Sequence, residues 1–263
     1  MNWIASLPMY NVTPSLEARW REWLADVLRA VEPRAQIGSA GDDLEAFWRR
    51  RDLLLSQTCG YPLMNGLREH VQLIATPCFD APGCDGADYS SVLVTRADAP
   101  FDTLERCRGA RAAFNQNDSN SGFNAFRHAV APLAHRGTFF GATLCTGSHA
   151  GSLQAIAENR ADVAAIDCVT MAFVRDERPT LARNIKEIGW TSASPGLPLI
   201  ASNDVPAETV LALRSALNDA LAARPERARH LHLKGFSTLS MADYARITQL
   251  ESEAVALGYP HLA

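Results

Sequence analysis

A run of six small polar residues, NDSNSG from Asn117 to Gly122, stands directly before a segment with helical character. Asp, Asn and Ser are favoured helix N-caps, because a short side-chain oxygen accepts a hydrogen bond from an N–H of the first turn. The first N–H groups of a helix also lack intrahelical partners and carry the positive end of the dipole, so the same residues suit an oxyanion. Six such residues exceed what a cap requires, but composition alone leaves both interpretations open.

Three more polar clusters fall at the ends of predicted strands. They are Pro8-Met9-Tyr10, Gln57-Thr58-Cys59, and Ser148-His149 together with Asp167. Ligands of α/β sheets bind outside the carboxyl ends of the strands, so each cluster is a candidate binding element.

Each candidate also has a purely structural interpretation. His149 follows Gly-Ser at a helix start and could be a solvent-facing neighbour of a cap, and Asp167 could cap the next helix. Tyr89 could be ordinary strand core. Arg127 is the nearest cation to the polar run, and its position favours a solvated surface role.

The hydrophobic periodicity predicts an α/β protein with a parallel sheet and helices on its faces. The predicted strands are Trp3 to Leu7, 52–55, 71–76, 89–96, 111–115, 163–167 and 185–190. The predicted helices include one from Pro14, one at 122–134, one that ends at about 159, and two at 206–223 and 241–257. The polar turn after residue 96 and the Ser/Pro-rich stretch after 190 predict two crossings between lobes. One lobe would comprise residues 1–96 and 191–263 and the other 97–190, with a hinge and a cleft.

Composition excludes several classes of protein. A formal net charge of −4 argues against nucleic acid or an anionic membrane surface as the main partner. No stretch approaches the roughly 20 apolar residues of a membrane span. The N-terminal MNWIASLPMYN lacks the basic and long apolar regions of a signal peptide, which predicts a cytoplasmic protein unless a leader has been removed.

The six cysteines lack the paired C-x-x-C spacing of zinc or thioredoxin-type sites, so we expect no metal and no cofactor. Cys78 and Cys84 lie close together in PCFDAPGC. In an oxidising compartment this Pro/Gly loop could let them form a disulfide.

Five segments together resemble a known family: SLPMY, SQTCGYPL, YSSVLVTRAD followed by FDTLERCRG, NDSNSG, and TGSHAGSLQAIAENRADVAAID. They resemble the phosphonate- and phosphate-binding branch of the periplasmic substrate-binding proteins of ABC transporters. The resemblance runs from near residue 3 to beyond residue 200, and its last motif is the most specific. It implies a two-lobe type II periplasmic-binding-protein fold with two interlobe crossings.

The resemblance also implies a function without catalysis. The chain would bind a small oxyanion, a phosphonate, phosphate or related phosphorus compound, and deliver it by lobe closure to an ABC permease. It would act as a monomer, with no nucleic-acid partner and no membrane contact except through the permease.

Family membership further implies roles for individual residues. The helix start at Ser119 to Gly122 would hold the oxyanion, with His149 approaching the same group. Tyr10 and Tyr89 would line the cleft from the other lobe, and Asp167 would meet a polar or cationic part of the ligand. Together with the strand-end clusters, the predicted ligand-binding residues are Tyr10, Gln57, Thr58, Tyr89, Asn117, Ser119, Asn120, Ser121, Gly122, His149 and Asp167.

Two other functions are considered. Ser148 or Ser119 with His149 and Asp167 could be assembled as a hydrolase triad, since triads are defined by geometry. The chain lacks a Gly-x-Ser-x-Gly elbow, and adjacent Ser148 and His149 have poor geometry for proton transfer. A cytosolic ligand sensor or interaction module with the same fold is the other alternative, because fold does not determine function.

Overall fold

The structure is a computed structural model, and it describes residues 2–263. Its helices are α1 (Pro14–Val31), α2 (Leu44–Trp48), α3 (Gly60–Pro62), α4 (Ala125–Val130), α5 (His149–Ala157), α6 (Cys168–Glu177), α7 (Pro179–Ala182), α8 (Ala207–Ala223), α9 (Pro225–His230) and α10 (Ala245–Ala256). Single turns of π-helix occupy Leu63–Leu67 and Asn120–Asn124, and 3-10 turns occupy Glu105–Cys107 and Ala131–Leu133.

The strands alternate with these helices along most of the chain. They are β1 (Ile4–Ser6), β2 (Gln36–Ile37), β3 (Leu53–Gln57), β4 (Val71–Phe79), β5 (Cys84–Asp85), β6 (Asp88–Tyr89), β7 (Ser91–Arg96), β8 (Arg111–Phe114), β9 (Ala142–Cys145), β10 (Val163–Asp167), β11 (Ile185–Trp190), β12 (Ser194–Pro195), β13 (Leu199–Ser202) and β14 (Leu233–Ser237). The α/β class predicted from the sequence is confirmed.

The chain forms two compact units. Unit 1 comprises the residues up to Asp80, Asp85–Ala87 and Pro195–Tyr244. Unit 2 comprises Ala81–Cys84, Asp88–Ser194 and Ala245–Ala263.

This division differs from the predicted boundaries in two places. Strand β7 belongs to unit 2, because it pairs with β10 on one side and β11 on the other. The chain therefore leaves unit 1 near residue 81, before β7 and not after it. The C-terminal segment also belongs to unit 2, where Phe139 N and Phe140 N donate to the Ala263 carbonyl. Both differences arise from pairings between distant segments, which local sequence patterns do not report.

Unit 1 contains a six-stranded sheet of order β14-β4-β13-β3-β1-β2. Its β1, β2 and β3 are parallel, but β13 runs antiparallel to both β3 and β4, and β14 runs antiparallel to β4. The sheet is therefore mixed, so the predicted parallel arrangement holds for the pairings among β1, β2 and β3 but not for those of β4, β13 and β14. Strand β13 lies within the stretch that was interpreted as a crossing, because its apolar residues follow a Pro/Gly-rich segment.

Helix α1 begins where the sequence predicted. Thr13 Oγ1 accepts a hydrogen bond from Leu16 N at 3.2 Å, and Pro14 supplies the first helical residue. Proline is favoured there because its missing N–H would have no intrahelical partner. The apolar face of α1 is buried within unit 1.

Unit 2 contains a five-stranded sheet of order β11-β7-β10-β8-β9. Strand β8 is parallel to β10 on one side and to β9 on the other. The carboxyl ends of these three neighbouring strands therefore lie at one edge of the sheet, and a helical segment follows each of them. This edge carries most of the polar residues selected from the sequence.

Candidate functional site

Three helix starts meet at the carboxyl edge of the unit 2 sheet. Ser119 is the N-cap after β8, Ser148 is the N-cap of α5 after β9, and Asp167 is the N-cap of α6 after β10. Because β10, β8 and β9 are adjacent and parallel, the positive ends of the following helical segments lie along the same edge. Such an edge favours negative charge.

The polar run divides into an exposed turn and a buried helix start. Asn117 and Asp118 are exposed, in a turn closed by the hydrogen bond from Ser119 N to the Gln116 carbonyl. From Ser119 onward the residues are buried. The first part of the run shapes the loop, and the second part forms the helix start.

Ser119 caps the turn that follows it. Its Oγ accepts from Gly122 N at 3.1 Å, and its carbonyl accepts from Asn124 N at 3.0 Å. The predicted helix at 122–134 begins two residues earlier, as a π-helical turn that continues into α4. Single π-turns inside helices frequently occur at functional sites.

Ser121 and His149 are joined across two helix starts. The Ser121 Oγ lies 2.8 Å from His149 Nε2, and the Ser121 carbonyl accepts from Ser91 Oγ at 3.0 Å. Desolvation lowers the pKa of His149 from 6.5 to about 4, and the Ala165 backbone acts weakly in the opposite direction. The imidazole is therefore neutral at pH 7, so it presents one N–H donor and one acceptor.

Gly122 allows this close packing because it has no side chain. A Cβ at this position would lie 2.0 Å from Asn115 Oδ1 and 3.0 Å from His149 Cε1. A side chain at this position would therefore force Asn115 or the helix start to move.

Asn120 lies at the centre of a second set of contacts. Its Nδ2 donates to the Tyr89 hydroxyl at 3.2 Å and to Ser194 Oγ at 2.9 Å, and its Oδ1 accepts from Asn124 Nδ2 at 3.0 Å. Tyr89 was expected in the other lobe from the helix start, but it lies in unit 2 with Asn120. The reason is the earlier crossing of the chain, which brings residues 88–96 into this unit.

Arg127 is buried, which overturns the predicted surface role. Its Nη2 donates to Asn124 Oδ1 at 2.7 Å and lies 3.2 Å from Glu251, and its Nη1 donates to the Pro260 carbonyl at 2.7 Å. Only 3% of Arg127 is exposed. The guanidinium fixes the amide of Asn124, which in turn orients Asn120.

Neither Asn124 nor Ser194 was predicted as a site residue from the sequence. The spacing of Asn120, Asn124 and Arg127 places them on one helical face, and this was the available signal. We name the chain of side chains Tyr89, Asn120, Asn124, Arg127 and Glu251 the amide relay.

Asp167 acts as a cap in the structure. Its Oδ1 accepts from Val169 N at 2.8 Å and Thr170 N at 3.0 Å, and only 2% of the residue is exposed. The structural interpretation of Asp167 is thereby confirmed, and a role in ligand contact stays a prediction.

The unit 1 candidates lie at the ends of β1 and β3. Tyr10 is buried against Phe79, with its φ of 65° in the left-handed region, which is uncommon for a residue other than glycine. Gln57 Nε2 donates to the Leu197 carbonyl at 3.2 Å, and Thr58 Oγ1 donates to the Cys59 carbonyl at 3.3 Å. Gln57 thus joins the end of β3 to the segment that precedes β13, whereas the Thr58 bond is local.

The contacts of the hydrolase candidates differ from those of a triad. Ser119 Oγ accepts from Gly122 N and Ser148 Oγ accepts from Gly151 N, so both serines cap helical segments. Asp167 caps α6, and the serine that contacts His149 is Ser121.

Residues 2–263 contain no group of three His, Cys, Asp or Glu side chains that could hold a metal ion. Cys78 and Cys84 lie in different units, and neither is disulfide-bonded. Cys78 Sγ contacts Ser237 Oγ at 3.2 Å, whereas Cys84 Sγ lies 3.4 Å from Cys168 Sγ. The disulfide that the sequence left open is therefore not formed in the structure, and the chain crosses between units within PCFDAPGC.

Among residues 2–263, every helix falls short of the length and apolar character of a membrane span.

Comparison with known proteins identifies relatives of the whole chain. The family model described as the periplasmic substrate-binding protein of phosphonate ABC transporters matches residues 9–244. No curated protein matches the sequence.

Three solved structures illustrate the similarity in fold. A binding-protein component of an ABC phosphonate transporter from Pseudomonas aeruginosa has a TM-score of 0.82 at 22% identity, covering 97% of this chain and 87% of that protein. PhnD1 from Prochlorococcus marinus, in complex with methylphosphonate, has a TM-score of 0.80 at 14% identity, with 95% and 97% covered. A Xanthomonas citri protein bound to chloride has a TM-score of 0.69 at 18% identity, with 97% and 98% covered. These TM-scores show that the chain has the two-lobe type II fold.

Proposed function

The chain belongs to the periplasmic substrate-binding proteins of phosphonate ABC transporters, and we propose that it binds a small phosphorus oxyanion at the carboxyl edge of the unit 2 sheet. The proposed ligands are phosphonates, phosphate and related compounds. Ser119, Ser121, Gly122 and His149 would make the contacts to the oxyanion.

The observation that carries this proposal is the pairing of Ser121 with His149 between two adjacent helix starts. Peptide N–H groups at helix starts point toward an anion and carry partial positive charge. The two side chains add a hydroxyl and an imidazole at the same place. A tetrahedral oxyanion has acceptor oxygens in several directions, which suits donors arriving from two helices.

The neutral state of His149 determines the direction in which the Ser121 hydroxyl donates its hydrogen bond. In the tautomer with the proton on Nε2, the ring donates to Ser121 Oγ, and the Ser121 O–H is then directed to the ligand. Hydrogen bonds to charged groups contribute about 1.5–3 kcal/mol each, so two hydroxyls account for a large part of a micromolar affinity.

The amide relay would hold the helix start in place before ligand arrives. Binding costs less free energy when the donors are already ordered. Asn120 contacts Tyr89 and Ser194, while Arg127 anchors Asn124, so the turn that carries Ser121 is fixed at both ends.

The family suggests the remaining steps. We propose that the protein works in the periplasm as a monomer, that the two lobes close on the ligand, and that the closed form delivers it unchanged to a permease. Recovery of the ligand unchanged after long incubation, measured by phosphorus NMR, tests the absence of catalysis. New phosphorus signals would contradict it.

Isothermal titration calorimetry with methylphosphonate, phosphate and sulfate tests the site. We expect Ser121→Ala to weaken binding of the best phosphorus ligand by about tenfold or more, and Ser119→Ala/Ser121→Ala to weaken it further. Ser119 also caps a helix, so its removal costs about 1 kcal/mol of stability, whereas Ser121→Ala leaves the cap intact and removes only the hydroxyl that pairs with His149 and would bind the ligand. Exposed Ser215 on α8 supplies the control, since Ser215→Ala should leave affinity unchanged.

The panel of ligands separates two kinds of failure. Wild-type protein that binds none of the three anions would contradict the proposed function. Wild-type protein that binds a phosphorus anion equally well in the double variant would retain the function but move the site away from these serines.

A further inference from the structure

Two cysteine thiols meet inside unit 2. Cys84 Sγ lies 3.4 Å from Cys168 Sγ, although 84 residues separate them in the sequence. We propose that Cys84 and Cys168 are a modification site, where an external disulfide oxidises the two thiols to an intrachain disulfide.

Backbone hydrogen bonds of Ser90 connect the segments that carry the two cysteines. Ser90 N donates to the Gly83 carbonyl at 2.9 Å, and the Ser90 carbonyl accepts from Cys168 N at 3.2 Å. Cys84 N also donates to the Ala81 carbonyl at 3.0 Å, which closes the turn before it. The separation of the two cysteines is thus set before any bond forms between them.

Gly83 allows the approach. Its φ of 91° lies in the left-handed region, and a Cβ there would lie 2.3 Å from Trp190 and 3.1 Å from Cys168 Cβ. A larger residue would push Cys84 away from Cys168. The sulfurs need to move by little more than 1 Å to reach the bonding distance of about 2.05 Å.

The two thiols differ in solvent exposure, and this difference determines which cysteine reacts first with the oxidant. Cys84 is half-buried, whereas only 1% of Cys168 is exposed. Cys84, as a thiolate, attacks one sulfur of an oxidant such as oxidised glutathione and releases one glutathione thiolate. Cys168 then passes its proton to the released glutathione thiolate and attacks Cys84 Sγ, which releases the second glutathione as a thiolate that takes a proton from water, so the oxidant is reduced to two thiols.

The second step should be slower than the first. The hydrogen bond with Cys84 and burial raise the pKa of the Cys168 thiol, and the adjacent Asp167 carboxylate adds to this effect. Burial and the Asp167 carboxylate still act after Cys84 has reacted, so formation of the Cys168 thiolate limits the closing attack.

Peptide mapping of the full chain tests the proposal. After treatment with oxidised glutathione, the denatured protein should lose at least two of its six free thiols, and exposed Cys145 can account for the loss of a further one as a mixed disulfide. Cleavage before aspartate separates the cysteines, because Asp80 and Asp85 flank Cys84 and Asp167 and Asp176 flank Cys168. We expect peptide 80–84 to be linked to peptide 167–175.

Stability supplies a second readout. A bond that closes a loop of this length should raise the melting temperature of oxidised over reduced protein by roughly 5–10 °C. Cys84→Ser and Cys168→Ser should each abolish that rise, and Cys78→Ser, the matched control in unit 1, should retain it.

Two results would overturn the proposal: no loss of thiols, or a link from either cysteine to Cys78 in place of the link between Cys84 and Cys168. The peptide map uses wild-type protein, so it does not depend on whether a variant folds. Neither result depends on which oxyanion the protein binds.

Discussion

The ends of β3 in unit 1 and β8 in unit 2 both carry buried polar residues, but the two regions use them differently. After β3, Gln57 donates to the Leu197 carbonyl and Thr58 N donates to the Pro198 carbonyl. After β8, Asn120 bonds to Tyr89, Ser194 and Asn124, and Ser121 bonds to His149.

The two regions differ in the hydrogen-bond partners of their polar residues. Polar residues bonded to the backbone stabilise the course of the chain, and the loss of one such bond affects one segment. Side chains bonded to other side chains depend on one another, so one substitution leaves several buried groups unsatisfied. The region after β8 should therefore be far more sensitive to substitution than comparable positions in unit 1.

The largest effect is expected at Arg127, the anchor of the amide relay. Arg127→Met leaves the Asn124 oxygen, the Pro260 carbonyl and the Glu251 carboxylate without the guanidinium. Breaking a buried ion pair costs about 3–5 kcal/mol, and partial exposure of Glu251 reduces this to about 3 kcal/mol. Urea denaturation of wild type and variant measures the loss.

Arg51 in unit 1 provides the matched control. It pairs with Asp204 at 2.7 Å, but 84% of its side chain is exposed. Exposed pairs contribute little, so Arg51→Met should cost less than about 1 kcal/mol. Equal losses in the two variants would show that the amide relay has no special structural role.

The second effect is steric and concerns Gly122. In Gly122→Ala the new Cβ meets Asn115 Oδ1 and His149 Cε1, so Asn115 or the helix start must move. Overpacking of this kind costs about 1–3 kcal/mol, and the displacement should also weaken oxyanion binding.

Gly235 on β14 of unit 1 gives the control, because a Cβ there would meet nothing within 4 Å. Gly235→Ala should change the free energy of unfolding by less than about 0.5 kcal/mol in either direction. A Gly122→Ala variant that unfolds and binds like wild type would mean that the turn tolerates a side chain.

The sequence was sufficient for features with local causes. The start of α1 at Pro14 and the capping role of Asp167 depend on residues within one helical turn; the first was predicted, and the second was one of two interpretations of Asp167. The helical character after Ser119 was recognised for the same reason, although a π-turn at its start was not predicted.

Features with distant causes could not be predicted in this way. Arg127 is buried because Pro260, 133 residues away, accepts its hydrogen bond, and nothing near Arg127 in the sequence indicates this. The predicted boundary after β7 failed similarly, since a strand pattern does not show which sheet the strand joins. The assignment of ligand contacts to the eleven selected residues stays a prediction.

The smallest effect expected is a pH dependence that originates at His149. Burial lowers its pKa from 6.5 to about 4 in the folded protein, so between these values the unfolded chain binds more protons than the folded one. Stability from this residue is therefore fully present above about pH 6.5 and is lost as pH falls toward about pH 4. Between about pH 6.5 and about pH 5.5 the loss should be about 1 kcal/mol.

Comparison of wild type with His149→Gln isolates this contribution, because other titrating groups act equally in both proteins. Glutamine retains a polar partner for Ser121 but has no proton to gain, so the variant should lose less stability over this interval. His230→Gln, at an exposed position of unit 1, should behave as wild type. Identical pH profiles for wild type and His149→Gln would show that the imidazole is hydrated in the folded protein, and its neutral state could then no longer explain how Ser121 is directed to a ligand.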